Sequence, residues 1–396
     1  MLLNRDRLNE LMVESKLDAV IATSPENVTY SSGYWALSQW IRRGPQTYVV
    51  LPGEGQGEAH VIANAGLLDL LADQEISVRK IVKFGNFVVE QSPRETWSAL
   101  DCRQSELNNL PSAGSAGSAL AKVLSGIEIR HGRIAVDEGG LPPRLTAAAL
   151  PSMNGIEFLP GFELMRHVRA VKMPEEIERL RKAAHIAEMS IDAALAIAAP
   201  GVTEAEMAQA FNLATVRQGG LPVLYCIGTG TRSAMPNVQP SDRKLEDGDI
   251  IRFDVGGRYK HYRADIARNA VLGEPNQKVR TYYEALWKGV QRGLEMLRPG
   301  TRAADVFNAV VQTVRREGIP HYARTHVGHG IGLDGYDLPE LTPDSNDVLE
   351  EGMVLCVETP YYELGFGGLQ VEDMVAVGPN GPQSLMQTSG KLRVLS

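Results

Sequence analysis

Leu245–Asp265 reads LEDGDIIRFDVGGRYKHYRAD, and its opening pattern returns at Leu349–Glu358 as LEEGMVLCVE. Each copy runs Leu-Glu-acid-Gly, one variable residue, then an apolar run closing on a carboxylate, so Asp254 and Glu358 hold equivalent places. A second acid follows in each copy: Asp265 eleven residues after Asp254, and Glu372 fourteen after Glu358. The acid-Gly pairs Asp247-Gly248 and Glu351-Gly352 mark turns, and the apolar runs predict strands arranged as hairpins. An acid inside an apolar strand is costly to bury unless something pairs with it or coordinates it. Two related halves, each bringing two such acids, point to convergence on one metal site.

The repeat extends upstream. Ala199-Pro200-Gly201-Val202-Thr203 and Arg298-Pro299-Gly300-Thr301 each separate one long helical pattern from a second. Each half therefore reads helix, Pro-Gly break, helix, then strands carrying two acids. One repeat of this size is neither a solenoid nor a propeller, which need several short units, and predicts a domain with a pseudo-two-fold axis.

At 396 residues the chain is long for one hydrophobic core, so two domains are expected. A net charge of -8 gives no electrostatic footprint for nucleic acid. Three widely spaced cysteines, Cys102, Cys226 and Cys356, form neither a disulfide framework nor a zinc cluster. The N-terminal stretch MLLNRDRLNELMVESK is charged and lacks the apolar core of a signal peptide, and no apolar run reaches the roughly 20 residues that span a bilayer. A cytoplasmic protein without membrane or nucleic-acid partners is expected.

Residues 4–16 predict a helix with Leu8, Leu11 and Met12 on one face, followed by a strand at 18–22. Strands at 47–51, 59–63 and 77–84 and a helix at 65–72 continue a small α/β layer domain. Residues 101–119, rich in Ser, Gly and Asn, read as a surface loop running into a helix start. A strand at 133–137, a helix at 142–153 and a strand at 156–159 complete a first domain, 1–165. The second, 166–396, opens with a basic connector at 166–173 and a helix from Pro174 to about Ala198, with Pro and acids in its first turn. Further helices are expected at 279–297 and 303–316.

Thr325–Pro339, THVGHGIGLDGYDLP, carries the remaining chemistry. His329 stands between Gly328 and Gly330, where backbone can approach closely and no long side chain shields the imidazole. One imidazole with four carboxylates is a mostly hard donor set suited to Mn²⁺, Fe²⁺ or Co²⁺. Four clustered negative charges call for about two divalent cations, and a pair of such ions lowers the pKa of water towards neutrality. Hydrolysis follows from that chemistry.

With these motifs the chain resembles the creatinase/aminopeptidase family, the pita-bread metallopeptidases, over nearly its whole length. SPENVTYSSGY (24–34) is similar to that family's N-terminal domain, VKMPEEIERLRKAAHIAE (171–188) to its linker helix, and GHGIGL (328–333) with the two acid pairs to its metal site. The resemblance implies an α+β fold: a C-terminal pita-bread domain with the pseudo-two-fold repeat, preceded by the smaller creatinase-like α/β domain. It implies two divalent metal ions, Mn²⁺ first, with Co²⁺, Fe²⁺ or Zn²⁺ as alternatives. Asp265 and Glu372 would bridge, Asp254 would hold one ion, and His329 with Glu358 the other. Glu358 would also accept the proton of the attacking water.

Peptidases of the family carry further histidines at three places where this chain differs: Thr325 (with His326 beside it), Tyr336 and Asn237. His326, Tyr336 and Asn237 are therefore the candidates for steadying a tetrahedral intermediate. In SGYWALSQWIRRGPQ, Trp35, Trp40, Arg42 and Arg43 are candidates for boxing a small substrate and holding its carboxylate, offered to a partner subunit's site in a homodimer. The expected activity is hydrolysis of a C–N bond of the Xaa-Pro dipeptidase or aminopeptidase type. Hydrolysis or elimination on a small non-peptide metabolite is the alternative, and a non-catalytic binding protein a third reading.

Overall fold

Asn4 accepts a hydrogen bond from the Arg7 amide and so caps helix α1 (Arg5–Glu14), whose Leu8 and Met12 are buried on one face, one turn apart. A computed structural model describes residues 2–41, 46–141 and 153–396. The chain divides into two compact units, Met1–Arg169 and Ala170–Ser396.

The first unit is built on six strands: β1 (Ala19–Ala22), β2 (Tyr48–Pro52), β3 (His60–Asn64), β4 (Lys80–Phe84), β5 (Gly132–Val136) and β6 (Ile156–Pro160). Their order is β4-β3-β2-β1-β5-β6; β2 runs antiparallel to both neighbours, and the other pairs are parallel. Helices α2 (Pro25–Ser32), α3 (Leu37–Trp40), α4 (Leu68–Asp73), α5 (Ala99–Asn108), α6 (Ala116–Gly126) and α7 (Phe162–Ala170) complete it. Ile21, Val50, Ile62 and Ile134 pack with Leu120 and Leu124 of α6 in one buried cluster.

Two sequence expectations need correction here. Residues 99–108, mostly inside the expected loop, are helical because Ser98 and Asp101 form a reciprocal capping box that satisfies amides a loop would leave to water. The connector 166–173 begins as helix, since α7 runs to Ala170 with His167 and Arg169 in its last turn, where the helix dipole favours cations. The helix expected at 142–153 falls, except for its last residue, outside the described residues.

In the second unit the repeat becomes geometry. The first half contains α8 (Pro174–Leu195), α9 (Glu204–Arg217), β7 (Leu221–Thr229), β8 (Ile250–Tyr259), β9 (Tyr262–Arg263) and β10 (Ile266–Leu272). The second contains α10 (Gln277–Met296), α11 (Ala303–Glu317), β11 (Gly328–Gly330), β12 (Asp337–Glu340), β13 (Val354–Glu358), β14 (Tyr361–Glu363), β15 (Gly367–Leu369) and β16 (Glu372–Gly378), and β17 (Gly381–Ser384) and β18 (Arg393–Leu395) follow. The central sheet order, β11-β13-β16-β10-β8-β7, reads the same from either end once β7, β8 and β10 are matched to β11, β13 and β16. The pseudo-dyad passes between β10 and β16, which pair at Ala267 and Glu372.

Backbone bonds repeat across that axis. Gly201 donates to Leu245 O at 2.9 Å and Gly300 to Leu349 O at 2.8 Å, while the Leu245 and Leu349 amides return to Val202 O and Thr301 O, both at 2.8 Å. The turn glycines Gly248 and Gly352 share φ +87°, a conformation that strains any residue with a Cβ. Leu286 and Val290 of α10, with Val310 and Val314 of α11, bury Leu355 and Val357 of β13 and Val375 and Val377 of β16. Side chains alternate along a strand, so Cys356 and Glu358 project from the opposite face, away from the helices.

Candidate metal centre

Strand β11 lies between β12 and β13 with no room for side chains at its glycines. A Cβ on Gly328 would sit 2.2 Å from Cys356 O, and one on Gly330 2.1 Å from Leu338 O. That close approach seats His329 in the sheet at 2% exposure. Its Nδ1 faces Gly330 O at 3.0 Å, which places the proton on Nδ1 and leaves the Nε2 lone pair free, 4.0 Å from Glu372 Oε1.

Asp254 lies on β8, Asp265 just ahead of β10, Glu358 ends β13 and Glu372 opens β16. Donor atoms of Asp254, Asp265 and Glu372 all fall within 4.8 Å of one another, as do those of His329, Cys356 and Glu372. Glu372 belongs to both groups. Glu358 lines the same cavity, with Oε1 2.9 Å from His326 Nε2 and Oε2 accepting from Gln370 Nε2 at 3.3 Å.

The electrostatics fit a cation. Burial pushes Asp254 up to about 6, against the lowering pull of Arg252 and with the Glu358 charge adding to it. Burial, followed by their acidic neighbours, raises Asp265 and Glu372 well above the carboxylate range. Asp265 Oδ1 is buried with no hydrogen-bond partner, an orphan that coordination would satisfy. Burial also works to raise Glu358, but the hydrogen bond and charge of His326, with His329 and Arg324, hold it below its ordinary value. Glu358 is thus the acid of the four whose ionised form its surroundings favour most, the property a proton acceptor needs.

The other candidates fall unevenly. His326, Tyr336 and Asn237 all line the cavity, whose volume is about 280 Å³. The Tyr336 ring stacks on His329 with centroids 4.0 Å apart. Trp40 is half-buried within the first unit and its Nε1 donates to Thr29 Oγ1 at 3.2 Å, while the Trp35 backbone is bracketed by the Gln74 side-chain amide. Arg42 and Arg43 lie outside the described residues.

Sequence reasoning missed Arg252, Gln370, Tyr362, Cys356 and Arg324. Strand alternation contained the signal for three of them: Arg252, Cys356 and Gln370 each stand two residues before an acid, hence on its face. Arg252 is fully buried and donates to Asp254 Oδ2 (3.2 Å), Gln370 Oε1 (2.7 Å), Met235 O (2.7 Å) and Pro236 O (2.9 Å). One guanidinium thus fixes the Asp254 carboxylate, the amide that reaches Glu358, and the loop carrying Asn237.

A buried imidazole and four clustered carboxylates, gathered where two sequence-related halves meet on one sheet, define a metal-dependent hydrolase. Residues 178–379 match metallopeptidase family M24, and residues 4–171 match the creatinase/prolidase N-terminal domain. The chain belongs to family M24, and divalent metal ions are its cofactor class. It is 32% identical over 257 residues to an Xaa-Pro dipeptidase of Pyrococcus furiosus, covering 64% of this chain and 74% of that protein. Among solved structures it resembles the prolidase from Pyrococcus furiosus at 26% identity with a TM-score of 0.75, over 96% of this chain and 99% of that one. An Xaa-Pro dipeptidase from Bacillus anthracis, 24% identical, shares the fold with a TM-score of 0.79 over 98% of both chains.

Proposed function

We propose that this protein is a dinuclear metal-dependent peptidase cleaving Xaa-Pro dipeptides, with residues 166–396 as its catalytic domain. The observation that carries the reading is the pair of donor groups sharing Glu372 under a cavity of about 280 Å³, near the lower end of small-molecule sites and suited to a dipeptide. The Pyrococcus furiosus relative named above supports the choice of substrate. Asp254, Asp265, His329, Glu358 and Glu372 would hold the ions. When bound, two divalent ions acidify water and polarise the scissile carbonyl.

The chain's own residues supply the rest. Glu358, held ionised by His326, takes the proton of the attacking water and passes it to the departing amine. Asn237 and Tyr336, which both line the cavity, donate hydrogen bonds to the developing oxyanion. Manganese suits the hard carboxylate set. A homodimer with the first unit's Trp35–Arg43 segment beside the partner's site, and a cytoplasmic location, complete the proposal. The free Cys102, Cys226 and Cys356 support that location; among the described residues no helix is long and apolar enough to cross a membrane.

The test is activity of protein stripped with a chelator and reloaded with Mn²⁺, Co²⁺, Fe²⁺ or Zn²⁺, against Xaa-Pro dipeptides, longer Xaa-Pro peptides and small amides, with Glu358→Ala as control. Metal-dependent proline release, abolished in the variant, is expected. Bound metal without proline release would move the assignment to a small non-peptide substrate, a reading favoured by Thr325, Tyr336 and Asn237 standing where family peptidases carry histidine.

A further inference from the structure

The thiol of Cys356 has no part in the chemistry described so far. A buried free cysteine ordinarily behaves as a small hydrophobe, and its neighbours Leu355 and Val357 do pack with the helices α10 and α11. Cys356 faces the other way. It stands directly across from His329 in the β11–β13 ladder and two residues before Glu358, on the face that Glu358 shares. Its Sγ donates to Asp265 O at 3.5 Å and lies within 4.8 Å of donor atoms of both His329 and Glu372. Glu358, the acid that the family resemblance gives His329 as a co-ligand, is engaged with His326 at 2.9 Å and Gln370 at 3.3 Å.

The two donor groups that share Glu372 therefore differ in kind. Asp254, Asp265 and Glu372 offer oxygen alone, the set that suits Mn²⁺, whereas His329, Cys356 and Glu372 offer nitrogen, sulfur and oxygen, and sulfur selects softer ions. Tetrahedral ligands of an ion with bonds of about 2.0–2.3 Å stand about 3.3–3.8 Å apart. Donors 4.8 Å apart or less close on one such ion with small side-chain rotations, the thiol proton leaving to solvent as sulfur coordinates. We infer that Cys356 ligates the ion on the His329 side, so that the centre has one all-oxygen seat for Mn²⁺ and one His-Cys-Glu seat that prefers Zn²⁺ or Co²⁺. This rests on the two-ion reading above and adds a sixth ligand to it.

In the experiment, chelator-stripped wild type is titrated with Co²⁺ and followed by absorption. Cys356→Ser, Cys356→Ala and a double variant, Cys102→Ser with Cys226→Ser, run beside it, with circular dichroism confirming intact protein. A sulfur-to-cobalt charge-transfer band in the near ultraviolet is expected in wild type and in the double variant, where Cys356 is the sole thiol, and in neither Cys356 variant. Calorimetry with Zn²⁺ and with Mn²⁺ runs in parallel. Cys356→Ser should lose Zn²⁺ affinity by at least about 10-fold, the loss that follows even from removing a group one step outside the ligands, and Mn²⁺ affinity much less. Co²⁺ bound to wild type without the band, a band that survives Cys356→Ser or is lost in the double variant, or equal losses for Zn²⁺ and Mn²⁺ overturns the inference. None of these readouts needs turnover. The band without proline release upholds the Cys356 ligand while the peptidase reading fails, and proline release without the band does the reverse. Stripped protein that takes up no ion overturns both. Should the Cys356 variants not fold, the band in wild type and the double variant decides.

Discussion

Replacing Asp254 with Asn should stabilise the metal-free protein while destroying its response to metal. Burial lifts the Asp254 carboxyl from 3.8 to about 6 despite its ion pair with Arg252. At 1.36 kcal/mol per tenfold, that difference makes the ionised form cost the native state about 3 kcal/mol. Solvent still reaches 19% of the side chain, so the figure is a ceiling. The native metal-free protein holds this proton more tightly than the unfolded chain does. Its stability contribution is therefore full below pH 3.8 and lost as pH rises through about 6. Asn mimics the protonated acid and still accepts from Arg252. In chelator at pH 7.5, urea unfolding followed by circular dichroism should show Asp254→Asn more stable by up to about 3 kcal/mol, the gap closing towards pH 4. With metal at a hundred times its Kd, wild type should gain about 2.7 kcal/mol and the variant much less. A variant no more stable than wild type in chelator at pH 7.5 would refute the reasoning, since Arg252 would then compensate fully for the burial of the charge.

Arg252→Gln and Gln370→Arg should each weaken metal binding about 10- to 100-fold, and the double exchange should recover part of the loss, because the two side chains face each other at 2.7 Å; isothermal titration with Mn²⁺ checks it, and additive losses would contradict it. His326→Ala should move the acidic limb of the kcat profile to higher pH, since His326 is what holds Glu358 low, and a limb that stays put would separate that limb from Glu358. Gly248→Ala should cost about 1–2 kcal/mol from the left-handed backbone alone. Gly352→Ala should cost more in the same urea assay, because its Cβ would press on Lys172 O and Val171 Cγ1 at 3.2 Å where that of Gly248 meets open space.

The second unit was legible because its information is local and doubled. LEDG and LEEG mark matching turns, the apolar runs after them mark matching strands, and the acids closing those runs mark the cavity. What escaped was context that spans sequence distance. Arg252, 118 residues from Gln370, reads as an ordinary strand cation until the sheet brings them together. Arg324 carries no signal at all, since only folding reveals that nothing pairs with its Nε. In the first unit, α5 escaped because Ser and Asn weigh towards loop in composition, whereas one capping pair, Ser98 with Asp101, reverses the outcome.

The most direct measurement is proline release from an Xaa-Pro dipeptide by chelator-stripped protein as Mn²⁺ is added in known equivalents per chain. Release is expected to be absent at the start, to rise with added metal, and to saturate at two equivalents, in keeping with Asp254, Asp265, His329, Glu358 and Glu372 as the ligands of two ions. Proline release that survives stripping, or metal that binds without any release, would contradict it.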